Sequence, residues 1–171
     1  MKFLKLIPIL IIFFGNYPNK NLVHAEVKNP NEYKVLSNDS KMLNISNVEY
    51  YITQSDKFIQ NGDFEKAKES LVKARKLAKQ LASFYSDLNT AFIGVDARIP
   101  NEMKRKGKAT LQILAKTNER LASLYIKNGK PEVAVPLLIE TIRVMSPNSK
   151  EGKEAYARLI QLGFVETKYK G

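Results

Sequence analysis

The chain contains no cysteine and no tryptophan, and its single histidine is His24. Without cysteine there can be no disulfide framework, thiolate zinc site or thiol nucleophile. Only eight glycines and seven prolines occur among the 171 residues, and few of them interrupt the periodic segments. No stretch alternates with period two, so no sheet is expected. There is no Gly-rich phosphate loop, no metal-ligand spacing and no serine with a nearby base. The carboxylates Asp56, Glu119 and Glu140 stand alone on polar helix faces. These absences argue against an enzyme, and neither a cofactor nor a metal is expected.

What is present begins with an address. Lys2 and Lys5 precede an apolar run over residues 6–14, broken only by Pro8, and Val23-His24-Ala25 offers small residues at positions −3 and −1 of a cleavage site. That is the layout of a secretory signal peptide. The run is too short for a bilayer, which takes roughly 20 residues. Export is therefore expected: to a periplasm, to the outside, or to a thylakoid lumen if the source is photosynthetic. The whole chain carries a formal charge of +11. Removal of 1–25 leaves 25 basic and 17 acidic side chains, a net +8, and takes the only histidine with it. Residues 26–46 are polar and aperiodic and read as a flexible linker.

From residue 47 onward the pattern is helical, and with 44 % hydrophobic residues the chain can bury a core. A first helix is expected over 47–60, stopped by Asn61-Gly62-Asp63. In the second, Ala67, Leu71, Ala74, Leu77, Ala78, Leu81, Tyr85, Leu88 and Phe92 share an arc of roughly 120°, which continues unbroken to Gly94. Residues 93–100 form a turn, and Pro100 suits the first turn of a third helix ending near Asn128-Gly129. A fourth spans 131–145 and a fifth 150–162. The domain is placed at 47–163, with 164–171 a loose tail.

Two segments share a motif. Tyr51, Ser55 and Phe58 are followed by Gly62-Asp63-Phe64-Glu65, Ala67, Leu71 and Ala74. Leu121-Ala122 and Tyr125 are followed by Gly129, Ala134 and Leu138. The pattern resembles the tetratricopeptide repeat, two antiparallel helices joined at a glycine with a small residue at their crossing. The resemblance implies an all-α fold of about five helices in antiparallel hairpins, stacked with a right-handed twist. A long central hairpin, from the second and third helices, and a C-terminal capping helix would complete the core. It also implies that the first helix of each hairpin lines a concave, partner-binding surface. The matching positions are Glu49, Ile52, Asp56 and Ile59, then Lys116, Glu119, Ser123 and Lys127.

The basic residues suggest a second surface. Lys66, Lys68, Lys73, Arg75, Lys76 and Lys79 spread over the solvent side of the second helix. Lys104, Arg105, Lys106 and Lys108 form a sharper cluster in the first turns of the third, where they oppose the helix dipole. Such a patch suits anionic lipid or acidic partners. Nucleic acid is not expected, since no reading motif or aromatic stacking platform is present. The sequence thus points to an exported, non-catalytic interaction or assembly module, a monomer or weak dimer with a protein partner. The alternative is a peripheral envelope protein that binds an anionic membrane surface or acidic partners through its basic face.

Overall fold

The computed structural model describes residues 43–170. The expected signal peptide and most of the expected linker lie outside the described residues. Five helices follow in order: α1 (Ile45–Gln60), α2 (Phe64–Ala91), α3 (Arg98–Lys127), α4 (Pro131–Met145) and α5 (Lys150–Gln161). The described residues contain no strand, so they are all-α.

The helix ends follow from local chemistry. Asn44 accepts a hydrogen bond from the Asn47 amide at 2.7 Å, capping α1, so the helix begins two residues before the expected start. Asp63 caps α2 through the Lys66 amide at 3.1 Å. α3 starts at Arg98, which puts Pro100 in its first turn, where a missing N–H costs nothing. Gly62 and Gly129 adopt φ of +76° and +69°. Each sits in the same closing turn: Gly62 N–H bonds Ile59 O at 3.1 Å and Asp63 N–H bonds Phe58 O at 2.9 Å. The Gly129 turn repeats this with Ile126 O at 3.1 Å and Tyr125 O at 2.9 Å. Only a residue free to take the left-handed conformation allows this reversal without strain.

Each helix packs chiefly on its neighbours in sequence, while α1 and α5 each touch α3 lightly. With 28 and 30 residues, α2 and α3 are about twice as long as α1 and α4. α1 and α4 flank the open end of this long hairpin, the end nearest the glycine turns. Two apolar clusters result. One joins Ala67, Leu71, Leu121, Ala134, Leu138 and Ala155. The other joins Val48, Ile52, Ala78, Leu81, Tyr85 and Met103. Ala67 and Ala134 are fully buried, and their small side chains let the helix axes approach.

The segment after α5 is mostly exposed and makes a few contacts with the helices. Gly163 makes a third glycine turn, with Phe164 N–H bonding Leu159 O at 3.0 Å. Val165 packs on the first cluster, and the Tyr156 hydroxyl donates to Thr167 O at 2.7 Å. Tyr156 and Tyr169 meet edge to face at 5.9 Å. No described helix is long and apolar enough to cross a membrane.

Candidate functional site

A groove of about 560 Å³ runs between α1, α3 and α5. Side-chain size explains it. Ala109 and Ala115 on α3 and Ala155 on α5 line it, and such short side chains leave the space above them open. Ile45 on α1, Ile113 on α3 and Leu138 on α4 supply an apolar floor. Thr141 also faces the groove, but its hydroxyl donates back to Leu137 O at 3.1 Å, which leaves its methyl for contact. The volume falls within the range of small-ligand and peptide-anchor pockets, roughly 300–1,000 Å³.

The rim is charged. Arg158 on α5 reaches α3, donating to Ser123 Oγ at 2.5 Å and lying 3.6 Å from Glu119. Glu49, Lys116, Lys150, Glu151 and Glu154 also line the groove, and none is in an ion pair among the described residues. The rim therefore offers free charges of both signs around an apolar floor.

Of the eight positions expected to face a partner, Glu49, Lys116 and Glu119 line this groove. Ile52 does not: it is 5 % exposed and packed in the second cluster. Ile59 packs on the first cluster. Asp56 is held by Arg120 across the α1–α3 contact. Ser123 is taken up by Arg158, and Lys127 is exposed in the last turn of α3, away from the groove. Sequence reasoning missed the α5 wall and the floor, because which helix faces which is decided by packing.

The carboxylates expected to stand alone do not. Glu140 is buried behind the groove, between α2, α3 and α4. Its Oε2 accepts from Arg75 Nη2 at 2.6 Å and from Asn118 Nδ2 at 2.9 Å, and its Oε1 accepts from Lys79 at 2.8 Å. Asn118 Oδ1 in turn accepts from Arg75 Nε at 2.9 Å. Burial alone raises the pKa of Glu140, but the bonds from Lys79, Arg75 and Asn118 outweigh it and hold the carboxyl at about 2. Arg75 is thus half-buried against Glu140, while Lys79 stays exposed and reaches the same carboxylate from the solvent side. One sequence signal was available: Asn118 stands four residues after Leu114 and three before Leu121, a polar residue on the apolar stripe of α3.

The basic cluster on α3 is also partly re-read. Lys106 pairs with Glu102 at 2.6 Å, whose carboxyl it lowers, while Lys104, Arg105 and Lys108 are exposed without an ion pair among the described residues. Because α3 starts at Arg98, the cluster begins a turn and a half into the helix. The dipole penalty expected of it has largely decayed there. A smaller cavity of about 340 Å³ opens beside it, between Tyr85, Met103 and Met145.

Comparison of the chain with protein-family models, with curated proteins and with solved structures returns no match.

Proposed function

We propose that this protein is an exported, non-catalytic interaction module of the tetratricopeptide-repeat type, which holds a segment of a protein partner in the groove between α1, α3 and α5. One observation carries the reading: the odd-numbered helices share the groove, and α2 and α4 stand mostly behind them. That is how a repeat stack presents the first helix of each hairpin. The left-handed Gly62 and Gly129 and the fully buried Ala67 and Ala134 support the same reading, since each occupies the motif position that requires it. A suitable partner segment carries apolar anchors for the Ile45–Ile113 floor and charges that complement Lys116, Glu151 and Glu154.

A photo-crosslinking residue placed at Gln112 in the groove tests this against the same residue at Lys76, an exposed position on α2. In the native envelope, a defined protein adduct is expected from Gln112 and not from Lys76. Adducts from Lys76 alone, or equally from both, would remove the groove assignment. Sequencing the N-terminus of the chain recovered from the envelope tests export, with a start near Glu26 as the expected result.

A further inference from the structure

The α2–α3 hairpin outruns its neighbours, and its far end has a composition that the groove does not explain. α1 and α4 cover the hairpin up to Tyr85 and Met103, where Ile45 and Leu43 on one side and Val144 and Met145 on the other reach it. Beyond Tyr85, α2 continues for six residues, about 9 Å at 1.5 Å per residue, before the turn into α3. At the apex, Ile93 is 63 % and Val95 76 % exposed, the two most exposed large apolar side chains among the described residues. Phe84 and Leu88, one helical turn apart on α2, are exposed as well. A folded chain gains nothing from presenting these to water.

Charge follows the same axis. Lys104, Arg105 and Lys108 lie six to ten residues into α3, which is roughly 9–15 Å behind its first residue. The acidic groups nearby are mostly neutralised: Asp96 is paired with Arg98 at 2.7 Å and Glu102 with Lys106 at 2.6 Å. Asp87 is hydrogen-bonded by Ser83 at 3.5 Å and is the one acid of the tip with no ion pair among the described residues. The unpaired charge of the tip is therefore positive on balance.

We propose that this tip is a docking point for an anionic lipid bilayer. Ile93 and Val95 enter the acyl boundary, and Lys104, Arg105 and Lys108 lie at the level of the lipid phosphates. The dimensions are compatible, since peripheral apolar groups enter by roughly 5–10 Å and the cations, roughly 9–15 Å behind Arg98, stay on the water side of the apex. The site is separate from the groove, so the module can hold a partner while its tip rests on a membrane.

The chain has no tryptophan, so Val95→Trp in the full chain places one reporter at the apex. Vesicles of mixed phosphatidylglycerol and phosphatidylcholine are compared with phosphatidylcholine alone. A blue shift, quenching by brominated acyl chains and reversal by high salt are expected with the anionic vesicles only. Neutralising Lys104, Arg105 and Lys108 to Gln in the same background is expected to weaken binding about a hundredfold, at about fivefold per cation, with helical content unchanged. Bound protein whose introduced indole stays unquenched would overturn the proposal, because another part of the chain then makes the contact. So would binding indifferent to the three substitutions, or an indole shift caused by an acidic protein and not by lipid.

Discussion

Arg75 on α2 and Glu140 on α4 stand 65 positions apart in sequence and meet at 2.6 Å. The two helices do not pack on each other directly, so the pair spans α3 and takes Asn118 in along the way. This places one carboxylate under the control of three helices and sets how α4, and with it the back wall of the groove, sits against the central hairpin.

Glu140 makes stability depend on acid. Its folded pKa of about 2 lies below the ordinary glutamate value of 4.5, so its contribution is fully present above about 4.5 and is lost as pH falls through about 2. Lys79 is half-exposed, which reduces the effect. Glu140→Gln is expected to destabilise by about 2 kcal/mol at neutral pH and to remove most of the acid dependence between these two values. Denaturant melts at several pH values check both, and a variant that retained the full acid dependence would assign it to another carboxylate.

The junction between α4 and α5 is tight. A Cβ on Gly152 would lie 2.0 Å from Ser146 O, a backbone atom that cannot swing away. Helix propensity alone favours Gly152→Ala by up to about 1 kcal/mol, but the clash wins, and a loss of about 2 kcal/mol or more is expected. Ser146 itself sits at φ 75°, ψ 143°, so Ser146→Gly is expected to stabilise by about 1 kcal/mol. Thermal melts of the two variants should shift in opposite directions.

The turn glycines are required for backbone conformation and not for space. A Cβ at Gly62 or Gly129 meets nothing within 4 Å. Alanine at either is expected to cost about 1 kcal/mol, and asparagine less, because asparagine tolerates the left-handed region. Equal losses for both residues would point to a steric cause instead.

Arg158 tests how α5 is held. Its contacts to Ser123 and Glu119 are partly exposed, so Arg158→Ala is expected to cost less than about 1 kcal/mol globally. Faster amide exchange confined to α5 should accompany it, since this end helix packs mainly on α4. A uniform increase across all five helices would show that α5 does not open on its own.

Much of the fold was legible because it rests on local rules. The unbroken stripe from Ala67 to Phe92 announced the 28-residue α2, although Leu88 on that stripe is exposed because nothing packs on α2 there, and Gly62 and Gly129 announced the reversals. The start of α1 was missed by two residues because a buried asparagine, Asn44, caps it, and asparagine reads equally well as linker. The groove was half legible. Glu49, Lys116 and Glu119 were expected from the resemblance to a helical repeat, whereas Lys150, Glu151 and Glu154 reach it only because α5 folds back beside α3.

By itself the sequence determined the number of helices among the described residues and their ends to within about two residues, since periodicity, caps and glycine turns act within a few residues of themselves. It also determined which chemistry is missing, because residue types that are absent cannot be supplied by folding. Only the tertiary structure decided that Glu140 is buried and triply bonded, that Ile52 belongs to the core, and that Ile93 and Val95 stand clear of it. Each of those depends on which distant helix comes alongside, and that is a property of packing between segments that no local pattern encodes.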